Sequence, residues 1–346
     1  MDLSNSALDK IVIHKIGNKT REENVLISKN VMDPEDDLRD LLLNYFIAPF
    51  KSKEFYNLYH EEELMSNMVF ASVSEIFENE EAFYLQSVNL ANHLYDQTIH
   101  PKINEGELFV IYFNNCIINE IQTDAIGLFK SELKDVFLKF SRSSGNIGIE
   151  GFEGININKV DKGCLIFNIE KDKGYQVAII DNTGKSTDAA YWKDSFLKVR
   201  QMEDNFFHTA NAINLCKTFI TEKIPADFEV SKADQADFLN KSVSYFKEND
   251  DFTFEQFKRD IIVQPELITS FDEFKEQYQT ENDLKIPTEF SISENAVKKQ
   301  ARVLKSVIKL DKNFHIYVHG DKQLITKGFD DKTGMNFYQI YFKDEN

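Results

Sequence analysis

The chain has 346 residues, of which 42% are hydrophobic and 30 are phenylalanine, so it can bury enough apolar surface for two domains of ordinary size. Its 13 glycines and 6 prolines are too few for a collagen-like or proline-rich protein. The net charge of −18 disfavours a protein that binds polyanions over its whole surface. No apolar run is long enough to span a membrane, so we expect no membrane association.

The first residues and the cysteines indicate a cellular compartment. Residues Met1 to Asn5 lack the basic and apolar segments of a secretory signal. The three cysteines, Cys116, Cys164 and Cys216, are widely spaced and odd in number, which argues against a disulfide framework or a zinc ribbon. We therefore expect a soluble protein of the reducing cytoplasm.

The first 145 residues predict an α+β domain in which helices cover an antiparallel sheet. Residues 10–17 are typical of a strand, and residues 24–28 of its hairpin partner. Asp33, Pro34 and Glu35 predict the first turn of a helix that continues to Phe46.

Further along this domain, residues 80–97 predict a second amphipathic helix. Residues 107–113 and 116–122 predict two antiparallel strands joined by a turn at Asn114 and Asn115. Glycines at positions 145, 148, 151 and 154 then predict either a flexible boundary or a hairpin with bulges. We therefore place a boundary between an N-terminal domain, residues 1–145, and a C-terminal α+β domain, residues 146–346.

The C-terminal domain begins with a predicted strand–turn–strand unit over 164–170 and 175–181. A long helix over 204–222 opens an acidic helical segment, about 203–285. The remaining helices of this segment are predicted at 232–246, 254–262 and 270–279. Ser270 and Glu273 predict a capping box for the last of them.

A basic, β-rich end is predicted over about 291–346. Its elements are a short helix at 293–302 and strands at 304–310, 314–318, 323–328 and 337–342. The last 56 residues carry 10 basic and 7 acidic side chains, whereas residues 221–290 carry 8 and 17. Any DNA-binding surface is therefore expected at the C-terminal end or in the neutral middle, residues 151–220.

The basic residues of those two regions are the predicted phosphate contacts. Residues 298, 302, 305, 309 and 312 are spaced four and three apart in turn, so positive charge gathers on one side of the C-terminal end. The predicted contacts are Lys298, Lys299, Arg302, Lys305 and Lys309, with Lys193, Lys198 and Arg200. An ordinary solvated face is the alternative interpretation. The whole chain has six arginines, which predicts weak sequence specificity.

Motifs for catalysis, metal binding and cofactor binding are incomplete. His60-Glu61-Glu62-Glu63 lacks the second histidine of a zinc protease motif, because residue 64 is leucine. Gly184-Lys185-Ser186 lacks the earlier glycine of a phosphate-binding loop, because residue 179 is isoleucine. We predict no catalytic residue, no metal site and no cofactor. An enzyme of an unrecognised class stays an alternative, since a catalytic triad need not be local in sequence.

Short motifs in four parts of the chain carry a resemblance to a known family. They are the opening Leu8–Lys15 with its hairpin and Pro34 helix, the segment Ile155–Arg200, Phe271–Phe274, and the hairpin near Phe314–Val318. By element order over nearly the whole chain, the sequence resembles the bacterial nucleoid-associated proteins of the NdpA (YejK) family. The resemblance implies an acidic cytoplasmic protein of the nucleoid that binds double-stranded DNA. Some members contact type II topoisomerases, which implies topoisomerase subunits as partners.

These observations favour a non-enzymatic nucleoid-associated protein that binds DNA through phosphates, with little sequence specificity, and modulates type II topoisomerases. The alternative is an acidic adaptor in which residues 1–100 and 221–290 bind basic protein partners with little direct DNA contact. The aromatic-rich helices serve either core packing or a homodimer.

Overall fold

A computed structural model describes residues 1–51, 53–143, 146–183, 191–300, 307–311, 313–318 and 324–344. The chain divides into two compact units, unit 1 (Met1–Met202) and unit 2 (Glu203–Asn346). The predicted α+β class with antiparallel sheets and covering helices is confirmed. The predicted boundary at residue 145 falls inside unit 1, because residues 162–181 pair with the sheet formed by the first 131 residues.

Unit 1 is built on a seven-stranded antiparallel sheet. The strands of the unit are β1 (Ala7–Ile16), β2 (Phe55–Leu58), β3 (Gly106–Ile118), β4 (Ile121–Ser131), β5 (Asp135–Ser143), β6 (Asn146–Gly154), β7 (Lys162–Phe167), β8 (Gln176–Asp181) and β9 (Val199–Gln201). The order in the sheet is β1-β3-β4-β7-β8-β2-β9, and β5 and β6 form a separate hairpin. The predicted strand–turn–strand unit is confirmed as β7 and β8.

Helices cover both faces of this sheet, which explains its long apolar runs. The helices of unit 1 are α1 (Asp36–Ile47), α2 (Met68–Glu78) and α3 (Phe83–Asp96). Helices α2 and α3 pack on the face that contains Val110, and α1 packs on the face that contains Ile111. Since successive side chains of a strand point to opposite faces, an apolar residue is needed at every position.

The turn predicted at Asn114 and Asn115 is wrong. Strand β3 runs through both residues to Ile118, and its register with β4 shifts between Phe113 and Cys116. The chain reverses at Asn119 and Glu120, whose φ angles are 50° and 66°. Two consecutive residues with positive φ form the tight hairpin turn that matches the twist of the strands.

Two predictions near the N-terminus are also corrected. Residues 24–28 contribute a single bridge, Leu26 to Lys15, instead of a strand. Helix α1 begins at Asp36, two residues after the predicted start at Pro34, and the Asp33 carboxylate accepts a hydrogen bond of 2.6 Å from Arg39 instead of capping the helix. The second predicted helix is confirmed as α3. Helix α2 was not predicted.

Unit 2 contains most of the helices. They are α4 (Asn205–Thr218), α5 (Ile224–Asp227), α6 (Lys232–Glu248), α7 (Phe254–Phe257), α8 (Pro265–Glu281) and α9 (Glu294–Gln300). Turns of wider pitch, Phe219–Lys223 and Lys258–Ile262, continue α4 and α7. Helix α8 begins at Pro265, so the predicted cap residue Ser270 lies inside the helix, where it is buried.

Short strand pairs complete unit 2. They are β10 (Asp251–Thr253) with β11 (Glu289–Ser291), β12 (Val307–Leu310) with β13 (Phe314–Tyr317), and β14 (Ile325–Asp330) with β15 (Met335–Ile340). The hairpin predicted near Phe314–Val318 is confirmed as β12 with β13. The strands predicted at 323–328 and 337–342 are confirmed as β14 and β15, which pair with each other. Ile308 and Ile325 of these hairpins pack with Ala233 and Ala236 of α6.

All three cysteines are buried as free thiols. Burial raises the pKa of the Cys116 thiol to about 11, and it raises the pKa values of the Cys164 and Cys216 thiols as well. Thiolates are the reactive form of cysteine, so these side chains act as small apolar groups of the core.

Candidate nucleic-acid interface

The predicted contact Lys193 lies at one edge of the unit 1 sheet, in a wide helical turn (Tyr191–Leu197) that precedes β9. Its ammonium group donates a hydrogen bond of 3.0 Å to the Tyr56 hydroxyl and lies 4.4 Å from the centre of that ring. The Tyr56 hydroxyl donates in turn to Glu54, at 2.9 Å. Burial and the Glu54 charge raise the pKa of Tyr56, so the hydroxyl stays protonated and links the lysine to the carboxylate.

Arg200 lies on the edge strand β9, with its guanidinium carbon 3.2 Å from the centre of the Tyr59 ring. It pairs with Asn57 across the ladder, whereas Lys193 contacts Tyr56. Asn57 and Tyr56 are adjacent on β2 and therefore point to opposite faces. The sheet edge thus separates Lys193 from Arg200 instead of joining them in one patch.

Lys198 lies between these two residues in sequence and is exposed. It has a φ of 48° and lines a shallow groove together with Asp194 and Glu61. A phosphate that approaches Lys198 therefore also meets two carboxylates. The three predicted cations of unit 1 are each close to aromatic or acidic groups of their own unit.

Lys298 and Lys299 lie on α9, whose Ala296 and Val297 are buried. The Lys298 ammonium forms an ion pair of 3.0 Å with Glu294, one turn earlier on the exposed side of the helix. The Lys299 ammonium lies 5.5 Å from the ring centre of Phe206. Arg302 and Lys305, which the sequence places next in this group, lie outside the described residues.

Lys309 is exposed on β12, directly across the ladder from His315. Ile308, the preceding residue, is buried against α6 and fixes the strand there. Lys309 lines a groove of about 250 Å³ that we call the α6 groove. Its lining residues are Thr221, Lys232, Gln235, Ala236, Leu239, Val307 and Lys309.

Lys232, the second cation of the α6 groove, was missed by the sequence analysis. It is the first residue of α6, directly after the N-cap Ser231, whose hydroxyl accepts from the backbone N–H of Asp234. The Asp234 carboxylate accepts from the Ser231 backbone N–H, which completes a capping box. This capping box places Lys232 at the start of the helix. The Lys232 ammonium donates a hydrogen bond of 2.9 Å to the Gln235 side chain, one turn later.

Comparison with known families decides what this chain is related to. Residues 12–335 match the family of the nucleoid-associated protein YejK. The chain belongs to this family. No curated protein matches it. The resemblance found in the sequence is thereby confirmed, and association with the nucleoid is the general role that membership supports.

This family member also holds a buried charge cluster in unit 1 that the sequence analysis missed. Lys130 of β4 and Lys162 of β7 are paired in register, and both are almost completely buried. The Lys130 ammonium lies 3.1 Å from the Glu132 carboxylate and donates to the Tyr191 hydroxyl at 3.2 Å. The Lys162 ammonium lies 3.2 Å from the Asp181 carboxylate.

Burial dominates the electrostatics of this cluster. It lowers the pKa of Lys130, against the attraction of Glu132, and raises the pKa of Tyr191. Each ammonium is paired inside the unit and closed off from solvent, so the cluster joins β4, β7 and the turn at Tyr191. A substrate has no access to these lysines, which favours a structural role for them.

The part of the chain that the structure describes contains neither a metal-ligand cluster nor a membrane-spanning helix. Among those residues, no three His, Cys, Asp or Glu side chains come together as ligands for a metal ion. None of the helices described above has the length and apolarity to cross a bilayer. The sequence Gly184-Lys185-Ser186, rejected above as a phosphate-binding loop, lies outside the described residues.

Proposed function

We propose that the chain binds double-stranded DNA through phosphate contacts, with little sequence specificity, and that the α6 groove is the main contact. The observation that carries this proposal is the convergence of Lys232 and Lys309 on one small groove, together with the Thr221 hydroxyl. The groove lies at the N-terminal end of α6, where the helix dipole favours an anion.

The other predicted cations extend this contact in unit 2 and add a weaker one in unit 1. Lys298 and Lys299, with Arg302 and Lys305 assigned from sequence alone, contact neighbouring phosphates. Lys193, Lys198 and Arg200 contribute less, because Lys193 and Arg200 lie on opposite faces of the sheet edge and Lys198 shares its groove with two carboxylates. Lysine attracts phosphate as a point charge and reads no base edge, which accounts for the low sequence specificity.

The test is a titration of a fluorescent duplex with the full chain at several salt concentrations, followed by anisotropy. Each phosphate contact contributes about 0.9 to the slope of log affinity against log salt. We expect the Lys232→Ala/Lys309→Ala chain to lose about 1.8 of that slope, equally on duplexes of different sequence. The matched control is Lys285→Ala/Lys332→Ala, which removes two exposed lysines of the same unit and should leave the slope near that of the native chain.

Two results would contradict the proposal. An unchanged slope in the Lys232→Ala/Lys309→Ala chain would remove the α6 groove from the interface. Absence of binding by the native chain at low salt would mean that its net charge of −18 prevents contact with DNA.

An acidic adaptor is the second candidate, and one helix face favours it. Glu266, Glu273 and Glu276 are exposed on α8 at spacings of seven and three, which places them on one side of the helix. We infer that this face binds a basic surface of a protein partner, with type II topoisomerase subunits as the first to test. Complementary charge of this kind gives specificity and fast association.

Purified type II topoisomerase, treated with nuclease and mixed with the immobilised chain, distinguishes the two candidates. Retention that is lost in the Glu266→Lys/Glu273→Lys/Glu276→Lys chain would support the adaptor. Retention that disappears with nuclease alone would show that DNA bridges the two proteins, and it would contradict direct binding.

A further inference from the structure

The β5–β6 hairpin of unit 1 presents an apolar face to solvent. Directly opposed residues of an antiparallel pair share a face, and here the opposed pairs include Leu138 with Gly151 and Phe140 with Ile149. We call this side the hairpin face. Its apolar side chains are 62–70% exposed and are Val136, Leu138, Phe140, Ile147 and Ile149.

An exposed apolar patch of this kind marks an interaction surface. The charged residues of the hairpin indicate what kind of partner binds there. The hairpin carries two basic residues, Lys139 and Arg142, and three acidic residues, Asp135, Glu150 and Glu153. A ribbon that enters a DNA groove needs a positive surface to meet phosphates. The near-neutral charge and the apolar side chains therefore favour a protein surface over nucleic acid.

The two charged residues of the hairpin face are complementary to those of a second copy. Glu153 lies at the base of the hairpin opposite Val136, and Arg142 lies near its tip opposite Ile147. Six residues along a strand separate these positions by about 20 Å, too far for an ion pair within one chain. Among the described residues, neither side chain has an ion-pair partner.

We propose that the hairpin face packs against the hairpin face of a second copy, with the two hairpins antiparallel about a two-fold axis. This arrangement places Arg142 of each copy beside Glu153 of the other, so that two equivalent ion pairs flank the apolar centre. Gly151, opposite Leu138 in that centre, has no side chain, and a Cβ atom there would meet only Val136 Cγ1, at 3.8 Å. The Phe140 ring of the second copy occupies this space.

The area of the interface requires more than the two hairpins. A face of two strands, each nine residues long, measures about 30 by 10 Å. Two such faces packed against each other therefore bury about 600 Å² in total. Specific interfaces bury at least about 1,000 Å². The rest comes from a groove at the base of the hairpin, because an antiparallel arrangement brings each tip to the base of the other copy.

This base groove has a volume of about 980 Å³ and begins at Glu153 and Gly154. Its exposed apolar lining includes Met32 (39% exposed), Leu38 (44%) and Ile157 (50%). The groove therefore continues the hairpin face into the body of unit 1. Its apolar lining can contact Ile147 at the tip of the second copy's hairpin.

The test uses a charge exchange between copies, measured on the full chain by sedimentation velocity. We expect the native chain to dimerise, and the Arg142→Glu chain or the Glu153→Arg chain alone to dimerise about tenfold more weakly, because each creates two like-charged pairs. An equimolar mixture of these two variants should recover native affinity, since both pairs of the mixed dimer are again oppositely charged.

Two further variants separate this effect from misfolding and from charge alone. Phe140→Asp, at an exposed position, should give a monomer with an unchanged circular dichroism spectrum. Lys332→Glu, on the exposed turn after β14, changes the net charge by the same amount as Arg142→Glu and should leave the dimer intact.

A native chain that is monomeric up to about 100 µM would overturn the proposal. So would a mixture of the two charge variants that fails to recover dimerisation. If instead the native chain is a monomer and Phe140→Asp abolishes retention of purified topoisomerase, the hairpin face binds a different protein and the proposal is likewise overturned.

Discussion

Two pairs of lysines, one pair in each unit, have opposite environments, although they look alike in the sequence. In unit 1, Lys130 and Lys162 are buried and their ammonium groups are paired with carboxylates. In unit 2, Lys309 is exposed and shares a groove with Lys232. A buried lysine whose ammonium group is paired with a carboxylate of the protein holds strands together. An exposed lysine in a groove is hydrated, and a phosphate can replace the water around it. Burial therefore separates structural from binding cations better than charge counts do.

The largest expected effect is the loss of a buried lysine. Lys130→Met leaves the Glu132 carboxylate, which is 7% exposed, without its cation. Removing one partner of a buried ion pair costs about 3–5 kcal/mol in the free energy of unfolding. Urea denaturation followed by the fluorescence of Trp192 measures this loss, because the chain has one tryptophan and it is buried in unit 1.

The double variant Lys130→Met/Glu132→Gln controls for the orphaned charge. It should recover part of the lost stability, because no unpaired carboxylate then remains buried. The salt slope of DNA binding should stay native in both variants. A Lys130→Met chain that is as stable as the native one, but binds DNA less well, would contradict the structural role of the buried lysine and indicate a role in DNA binding.

A smaller effect concerns a buried histidine of unit 1 and depends on pH. The His14 ring accepts a hydrogen bond from the Ser28 backbone N–H at 3.2 Å and lies 3.0 Å from the Ser87 hydroxyl. Burial lowers the pKa of His14 to about 4, against about 6.5 in the unfolded chain. The unfolded chain thus binds more protons between these values, so stability is complete above pH 6.5 and falls as the pH drops towards 4.

The difference in pKa corresponds to about 3 kcal/mol between pH 7 and pH 4. His14→Gln should be less stable at neutral pH and should show a flatter stability profile over that range. His315→Gln, which replaces an exposed histidine of unit 2, should keep the native profile. Equal pH dependence in native and His14→Gln chains, measured by Trp192 fluorescence in urea, would contradict the assignment.

The smallest effect is expected for Arg200, which is exposed but stacked on Tyr59. Arg200→Ala should weaken DNA binding at low salt about two- to threefold, and Arg200→Lys should weaken it less, because the charge is kept. Anisotropy titrations of the Arg200 variants and of the Lys232→Ala/Lys309→Ala chain with the same duplex compare the losses of DNA affinity from the two cation groups. A larger loss from Arg200→Ala than from the α6 groove variant would move the main DNA contact to unit 1.

Elements with strong local signals could be predicted from the sequence. The apolar spacing of Phe83, Leu90 and Leu94 identified α3, and the alternation around Ile308 and Ile316 identified the β12–β13 hairpin. The turn after β3 was missed because Asn114-Asn115 and Asn119-Glu120 carry similar turn signals. Pairing with β4 decides between them, and that pairing is not local.

The unit boundary and the α6 groove depend on long-range contacts for the same reason. The glycines near residue 151 predict either a boundary or a hairpin. They form a hairpin, and the chain then returns to the sheet at Lys162. Lys309 could be predicted from the charge of the C-terminal end. Lys232 lies in an acidic segment, and only the packing of β12 on α6 brings it into the same groove.

The burial of all three cysteines has a practical consequence. Their thiols are protonated and shielded, so maleimide reagents and spin labels will react slowly with the folded native chain. A cysteine introduced at the exposed Lys139 becomes the one fast-reacting position without prior removal of the others. Donor and acceptor dyes placed there on separate molecules would report how close two hairpins come, and a dye at Lys298 would report the approach of a labelled duplex.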